Sequence, residues 1–209
     1  MRTPRPNGFE RGAGPPPAYI LAGGHSRRFG RDKARAVIDD ASGVPWIVGL
    51  ADSLRGFVSS ITVVARKKSA YDDLGLRTIG DVVRNRGPIG GILTAIEDYG
   101  HSDGWVFISA CDWVGIRGDW IGELLAGTDA VRRTRAQVVV FKSQREQPLF
   151  GLYHASLRPV LADRIAGGRL TTVDLLNDVE VTRVAAPLGW DAAVNLNHAH
   201  LAPRFQRGG

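Results

Sequence analysis

The sequence predicts an α/β fold, a three-layer α/β/α sandwich around a Rossmann-like, mostly parallel sheet. The first observation is three short apolar runs of strand length, at residues 18–22, 61–65 and 105–109. The second is that segments with apolar residues at helical spacing lie between these runs. Strands that alternate with helices form βαβ units, in which neighbouring strands are parallel.

Further helices and a hairpin complete this prediction. Residues 45–57 and 89–99 show helical spacing, and a Gly-Pro pair precedes the second segment. Residues 137–141 and 149–153 flank the polar stretch KSQREQ, which predicts a small antiparallel hairpin insertion. Residues 156–167 are predicted to be helical, with a proline in the first turn.

Composition limits the class of protein. The 209 residues are 44% hydrophobic and 23% charged, which excludes a disordered chain and allows one core. One cysteine excludes a disulfide scaffold, and no apolar stretch has the length of a membrane span. We expect a soluble, cytoplasmic protein. Residues 1–17, rich in Pro, Gly and Arg, are predicted to form a flexible arm, and residues 18–209 one domain.

The charge balance favours anionic partners. The chain has 27 basic and 21 acidic residues, a net charge of +6. Nucleic acid, an anionic membrane surface or a phosphorylated small molecule would each suit this excess, and so would a merely solvated surface. The basic cluster at residues 132–135 lacks the interleaved aromatic residues that stack on bases. We therefore expect neither a nucleic-acid partner nor a membrane partner.

The stretch LAGGHSRRFGRDK, residues 21–33, is the most informative part of the sequence. It follows a buried strand, so it is expected at the carboxyl edge of the sheet, where α/β folds bind ligands. Gly23 and Gly24 allow successive backbone N–H groups to turn toward one anion. Arg28 and Lys33 add positive charge to the same loop. The combination predicts a cradle for a triphosphate.

This loop matches neither of two common phosphate-binding patterns, the P-loop and the dinucleotide fingerprint GxGxxG. It resembles LAGGxSxRxGxDK, the nucleotide-binding signature of the molybdenum cofactor guanylyltransferases, within the nucleotidyltransferases that have an α/β/α sandwich. Related sugar-phosphate enzymes usually have alanine at the position of Gly23. The resemblance extends from about residue 18 to about residue 201. It implies transfer of GMP from GTP to molybdopterin, with Mg²⁺ as cofactor and pyrophosphate as product.

Residues 87–91 begin a predicted helix, and the free N–H groups there favour a carbonyl or an anion, although a plain helix start is the alternative. The segment resembles the G-P-L-A-G element of that family, which lies beside the base, with Gly90 where alanine is usual. Asp81 matches an aspartate that recognises guanine, although an exposed loop aspartate remains the alternative. The resemblance thus implies a nucleotide site made of Leu21, Ala22, Gly23, Gly24, Lys33, Asp81, Gly87 and Pro88.

Asp112 follows the third apolar run, so its carboxylate is expected at the same edge, where it suits Mg²⁺. The segment resembles the P-C-D-x-P element of the family, whose aspartate holds the catalytic metal. Ala110 and Val114 replace its two prolines. Cys111 is expected to be a small buried residue rather than a nucleophile. The catalytic residues implied by the resemblance are Lys33, Arg28 and Asp112.

Residues 193–198 alternate so that Asn195 and Asn197 share one face of a predicted strand. They resemble the N-x-N element of the family, which implies Asn197 as a second metal ligand and Asn195 as a substrate contact. A strand-end asparagine that caps the next helix is the alternative. Gln147 and Pro148 resemble a strand that shapes the pocket of the second substrate, but by themselves they indicate only an edge strand.

The expected reaction is attack of the terminal phosphate of molybdopterin on the α-phosphate of GTP. It needs no general base, because the attacking phosphate is already an anion. The expected partners are GTP, molybdopterin, and molybdoenzymes or other cofactor-biosynthesis proteins. The alternatives are a related nucleotidyltransferase that uses CTP or a sugar-phosphate acceptor, and a non-catalytic nucleotide-binding homologue.

Overall fold

A computed structural model of the chain describes residues 14–22, 32–37, 43–190 and 194–195. The strands are β1 Ala18–Leu21, β2 Ile61–Ala65, β3 Thr78–Gly80, β4 Trp105–Ala110, β5 Trp113–Val114, β6 Val138–Lys142, β7 Glu146–His154, β8 Val181–Ala185 and β9 Val194–Asn195. The helices are α1 Trp46–Leu54, α2 Gly87–Tyr99, α3 Trp120–Thr134, α4 Arg158–Ala166 and α5 Thr172–Asp178.

Seven strands form one sheet in the order β3-β2-β1-β4-β7-β6-β8. Strand β7 runs antiparallel to β4 and β6, and the other adjacent pairs are parallel. A separate two-stranded sheet pairs β5 with β9. The predicted mostly parallel α/β sheet is therefore confirmed. The predicted hairpin is β6 and β7, and both of its strands lie inside the main sheet rather than beside it.

Two apolar clusters lie on opposite faces of the sheet. Alternate strand residues such as Ile20 and Phe107 face α1 and α3, whereas Tyr19 and Val106 face α2, α4 and α5. Strands buried on both faces are apolar at consecutive positions, which is why β1, β2 and β4 are recognisable as short apolar runs. These two clusters make the fold a three-layer α/β/α sandwich, as predicted.

The predicted helices agree closely with the structure. Residues 45–57 contain α1, and α2 begins at the Gly-Pro pair itself, with the proline in its first turn. Residues 156–167 form a short 3-10 turn followed by α4. Helices α3 and α5 and strands β3 and β8 complete the fold and are additional to the sequence prediction.

The last residues of the predicted N-terminal arm contact the sheet. The carbonyl oxygen of Pro16 accepts a hydrogen bond from Ser59 N (3.0 Å), and that of Pro17 accepts one from Phe107 N (2.9 Å). Residues 1–13 lie outside the described residues, and the domain boundary at residue 18 stays a prediction. Among the described residues, no helix combines the length and the apolar character needed to span a membrane.

Candidate functional site

Four parallel strands end together at one edge of the sheet. Leu21 pairs with Val64 on one side and with Ala110 on the other, and Ala65 pairs with Gly80. The hydrogen bonds continue one residue past the strands, from Ala22 N to Val64 O (2.9 Å), from Asp81 N to Ala65 O (2.9 Å) and from Cys111 N to Leu21 O (3.1 Å). The segments that carry Ala22 and Asp112 are thus brought together, as predicted from the parallel topology, and Asp81 lies at the same edge.

Lys33 begins a 3-10 turn, Lys33–Arg35, whose first residues are fixed by Asp32. Oxygen Oδ1 of Asp32 accepts a hydrogen bond from Ala34 N (3.0 Å), which is the usual role of an N-cap aspartate. Oxygen Oδ2 accepts one from the hydroxyl of Tyr71 (2.8 Å). The Tyr71 side chain is buried in the apolar cluster that faces α1 and α3, so the hydroxyl that binds Asp32 is itself held in place. Asp32 therefore orients the turn that carries Lys33.

A second contact attaches the same turn to the β2–β3 connection. The guanidinium group of Arg35 donates two hydrogen bonds to the carboxylate of Asp73, each 2.8 Å long. Its Cζ atom lies 5.2 Å from the centre of the Tyr71 ring. Paired hydrogen bonds of this kind fix orientation as well as distance. The Lys33 turn is thus held by the segment that leads to Asp81.

Cys111 directly precedes Asp112, and the charges of Lys33 and Asp112 act on its thiol. Burial, reinforced by the carboxylates of Asp112 and Asp32, raises the pKa of this thiol to about 12, against the opposing effect of the Lys33 ammonium. A thiol that stays protonated at neutral pH is a poor nucleophile. The Lys33 turn and the Asp112 loop both contact Trp46, through Ala36 O and Cys111 O respectively. Oxygen Oδ1 of Asp112 is itself buried.

The Asp112 loop is held on its other side by Trp113. The indole N–H of Trp113 donates a hydrogen bond to Leu149 O of β7 (3.0 Å). Its backbone pairs with Asn195 in the small β5–β9 sheet, so the backbone of Asn195 lies one residue from Asp112. These two contacts hold the residue that follows Asp112 against neighbouring strands.

Gln147 and Pro148 lie beside the same loop. Because Ser109 pairs with Phe150 in antiparallel register, the first residues of β7 lie next to the residues that follow β4. Both side chains are half-buried. The structure therefore brings the predicted second-substrate strand to the edge that carries Asp112, on the side opposite to Asp81.

On the other side of the site, Asp81 is half-buried at the end of β3. Burial raises the pKa of its carboxyl, and the positive charge of Arg66 partly opposes this. The loop between Asp81 and α2 is tied to the helix by Thr94, whose hydroxyl accepts a hydrogen bond from Val82 N (3.0 Å) and donates one to Gly90 O (2.8 Å). Gly87 and Pro88 are exposed at the start of α2.

Gly90 allows this loop to lie close to α2. A Cβ atom added to Gly90 would lie 2.9 Å from Cβ of Arg86 and 3.1 Å from Val83 O. Similarly, the side chain of Leu21 fills the space above Gly91, where an added Cβ would lie 3.0 Å from a Leu21 methyl carbon. These two glycines explain how the end of β1 and the Asp81 loop both reach the first turns of α2.

Some of the site residues predicted from the sequence lie outside the part of the chain that the structure describes. Gly23, Gly24, Arg28 and Asn197 lie outside the described residues, and for Asn195 only the backbone is described. Within the described ranges, no three His, Cys, Asp or Glu side chains are grouped as they would be around a metal ion. The roles assigned to all of these residues stay predictions.

Sequence reasoning missed the residues that hold the site together. Asp32 carries a local signal, because an aspartate directly before a helical turn is a preferred N-cap. Tyr71 and Asp73 carry none, because their partners are 39 and 38 residues away in the chain.

Comparison with known proteins decides the family. The sequence profile of the MobA-like NTP transferase domain matches residues 18–178 of the 209 residues. The chain belongs to this family. It is a nucleotidyltransferase, and the resemblance seen in the sequence is confirmed. The match begins at the first residue of β1 and ends at the last residue of α5.

Relatives of this NTP transferase include the molybdenum cofactor guanylyltransferase of Yersinia pestis, which is 28% identical over 181 residues, 85% of this chain and 88% of the relative. The crystal structure of molybdopterin-guanine dinucleotide biosynthesis protein A from Archaeoglobus fulgidus has a TM-score of 0.68 at 18% identity, over 91% of this chain and 97% of that chain.

The fold is also shared by an enzyme that is named for a different base. The 2-C-methyl-D-erythritol 4-phosphate cytidylyltransferase of Thermus thermophilus has a TM-score of 0.60 at 12% identity, over 89% of this chain and 95% of that chain. Because one fold accommodates enzymes that are named for different bases, the base and the acceptor have to be argued from individual residues.

Proposed function

We propose that this NTP transferase transfers GMP from GTP to molybdopterin, which yields the guanine dinucleotide form of the cofactor and pyrophosphate. One observation carries the proposal: the Lys33 turn and the Asp112 loop are joined through Trp46 at the carboxyl edge of the sheet, with Asp81 on one side and Gln147 on the other. This arrangement offers a cation and a carboxylate for the phosphates between two flanking subsites. The guanylyltransferase named among the relatives supports the choice of GTP and of the pterin acceptor.

The reaction exchanges one phosphorus–oxygen bond for another. An oxygen of the pterin phosphate attacks the α-phosphorus of GTP, and the bond from that phosphorus to the bridging oxygen of the β-phosphate breaks. Pyrophosphate leaves with the electron pair. The nucleophile is already an anion at neutral pH, so the protein contributes mainly orientation and charge neutralisation. Lys33, held by Asp32, would neutralise the triphosphate, with Arg28 and the amides of Gly23 and Gly24 in the same loop.

The residues at Asp112 fit a magnesium ion. Its carboxylate is a hard oxygen ligand with one buried oxygen, and Mg²⁺ takes few protein ligands because it keeps waters and binds substrate phosphates. Asp112, with Asn197, would hold the ion. When bound, Mg²⁺ neutralises phosphate oxygens and favours departure of pyrophosphate.

Asp81 would select the base. An ionised carboxylate accepts hydrogen bonds from both N1–H and the exocyclic amine of guanine, whereas cytosine offers no such pair of neighbouring donors. Arg66, whose charge acts on Asp81, favours the ionised form. The exposed backbone at Gly87 and Pro88 would lie beside the base.

The proposal is tested by measuring pyrophosphate release with Mg²⁺ and each nucleoside triphosphate, with and without molybdopterin. We expect release that requires both GTP and the pterin. Release with CTP instead would retain the chemistry and overturn the base assignment. Binding of GTP without release under any condition would overturn the catalytic assignment.

Two substitutions test the catalytic residues. Asp112→Asn should abolish turnover with little change in stability, and Asp163→Asn, on the exposed side of α4, is the matched control. Lys33→Ala should lower kcat/KM for GTP. The expected loss of transition-state stabilisation is about 2–4 kcal/mol, which is typical when one preorganised electrostatic partner is removed. Wild-type kinetics in either variant would remove that residue from the mechanism.

A further inference from the structure

Trp46, the first residue of α1, contacts both of the segments that carry the proposed catalytic residues. Its main-chain N–H donates a hydrogen bond to Ala36 O (2.8 Å). Ala36 closes the Lys33 turn, because its own N–H donates to Lys33 O (3.1 Å). The indole N–H of Trp46 donates to Cys111 O (2.5 Å), directly before Asp112. One residue thus spans the distance between the cationic turn and the carboxylate loop.

The contact with Cys111 fixes the peptide plane from which Asp112 projects. The N–H group of Cys111 is bound by Leu21 O, and its carbonyl group is bound by the indole of Trp46. That carbonyl belongs to the peptide unit that joins Cys111 to Asp112, and a peptide unit is planar. Holding its oxygen therefore restricts rotation at the backbone of Asp112 and limits the directions in which the carboxylate can point.

Trp46 is well placed to act as a fixed support. It stands at the start of a helix whose residues Ile47, Leu50 and Leu54 are buried against the sheet. The residue before it, Pro45, forms an isolated bridge with Val37, just beyond the Lys33 turn. The backbone of Trp46 is therefore anchored to the core through its helix, and the two segments that it contacts are at the edge of the sheet.

The Asp112 loop needs such a support, because its sequence provides little local rigidity. Proline restricts φ in a loop, whereas Ala110 and Val114 do not. We propose that Trp46 is a positioning residue that sets the orientation of the Asp112 carboxylate relative to the Lys33 turn. The functional importance of this geometry rests on the proposed function, but the geometry itself can be tested without turnover.

The test uses Trp46→Phe, which keeps an aromatic ring and removes the indole donor. Trp105→Phe is the matched control, since Trp105 is a half-buried tryptophan at the amino end of β4, away from the site. Hydrogen exchange followed by mass spectrometry reports opening of the Cys111–Leu21 hydrogen bond. We expect peptides that contain residues 110–113 to exchange several-fold faster in Trp46→Phe and at the wild-type rate in Trp105→Phe.

A second measurement follows the carboxylate itself. Binding of Mn²⁺, titrated without nucleotide and followed by electron paramagnetic resonance, should weaken about 2- to 10-fold in Trp46→Phe, the effect of losing one neutral hydrogen bond. In an Asp112→Asn background the same substitution should have no further effect, because Trp46 acts through Asp112. An effect of equal size in both backgrounds would assign Trp46 a packing role only.

The results separate this proposal from the proposed function. Unchanged exchange and unchanged Mn²⁺ binding in Trp46→Phe overturn the positioning role, whatever the wild-type protein catalyses. Faster exchange and weaker Mn²⁺ binding support it, even where the wild-type protein releases no pyrophosphate from GTP. Where the wild-type protein is active, kcat should fall in Trp46→Phe more than the KM for GTP rises, since the base-binding side is untouched.

Discussion

The two halves of the sheet position their loops by different means. On the β3-β2-β1 side, polar contacts between loops dominate: Tyr71 with Asp32, and Arg35 with Asp73. On the β7-β6-β8 side, the site rests on a cluster of aromatic rings whose centroids lie 4.9–6.3 Å apart. This aromatic cluster consists of Phe107, Trp113, Trp120, Phe141, Phe150 and Trp190.

The polar contacts mainly set the orientation of side chains, whereas the aromatic cluster mainly contributes stability. A hydrogen bond is directional, contributes about 0.5–3 kcal/mol depending on charge, and fixes how a side chain points. A buried aromatic ring contributes several kcal/mol through burial and packing but constrains direction less strictly. The β3-β2-β1 side therefore depends on polar partners with exact geometry, and the β7-β6-β8 side depends on the volume of its buried side chains.

Removing the central ring of the aromatic cluster should have the largest effect. Phe150 is fully buried and contacts every other ring of the cluster, so Phe150→Ala should lower the free energy of unfolding by about 3–5 kcal/mol, measured by chemical denaturation. Phe150→Leu, which keeps most of the volume, should lose clearly less. A loss below about 1 kcal/mol in Phe150→Ala would contradict the role of this cluster.

Tyr71→Phe removes one hydroxyl from the polar half. Because that hydroxyl donates to a carboxylate, the free energy of unfolding should fall by about 1.5–3 kcal/mol, and kcat/KM for GTP should fall with it as the Lys33 turn loosens. Tyr99→Phe is the control, since its hydroxyl donates only a 3.3 Å hydrogen bond to Asp103 O. Equal losses of unfolding free energy in the two variants would mean that the hydrogen bond to Asp32 contributes no more than an ordinary tyrosine hydroxyl contact.

Gly90→Ala tests the close approach of the Asp81 loop to α2. The added methyl group would meet Cβ of Arg86 at 2.9 Å, so the loop must shift, and we expect about 1–2 kcal/mol weaker GTP binding by isothermal calorimetry. Gly49→Ala in α1 has no atom within 4 Å and should instead stabilise the protein by about 0.5–1 kcal/mol. Tighter GTP binding in Gly90→Ala would show that the loop gains from the shift.

The smallest expected effect is a pH dependence of GTP binding. Burial raises the pKa of Asp81, so its carboxyl takes up a proton at a higher pH than an ordinary aspartate, whose pKa is about 4. GTP affinity should therefore fall as the pH is lowered through this raised pKa, because the protonated group loses an acceptor. Arg66→Gln should move the midpoint to higher pH, and Arg84→Gln should not. A midpoint that is the same in all three proteins would contradict the coupling.

Much of the fold was predictable because buried parallel strands leave a plain signal. Strands β1, β2 and β4 are consecutive apolar residues, and the positions that follow them can be assigned to one edge from the sequence alone. Strand β3 has only three residues, and every residue of β8 is half-buried or exposed. Neither strand therefore forms an apolar run that stands out from the neighbouring sequence. Helix α3 has weak apolar character overall, since arginine and glycine interrupt it.

The same limit applies to the site. Lys33 and Asp112 could be located because the segments that carry them follow predicted strands, Asp81 came from the resemblance alone, and Gln147 could be placed once the hairpin was recognised. The residues that orient them, Tyr71 and Trp46, contact partners 39 and 65 positions away, and nothing local in the sequence marks such pairs. Topology predicts which loops meet, whereas side-chain orientation depends on long-range contacts that only the folded chain brings together.

The pairing of β1 determines the order in which the molecule can assemble. Strand β1 has β2 and β4 as its neighbours, so it gains its second partner only after residue 110 has been synthesised. Until then its outer edge is an open row of backbone donors and acceptors next to apolar side chains. Strands β6 and β7, joined by three residues, can pair as soon as both exist. Among the inner strands of the main sheet, β1 thus waits longest between its own synthesis and the arrival of its second partner, and the first half of the chain is the part most exposed to aggregation during synthesis.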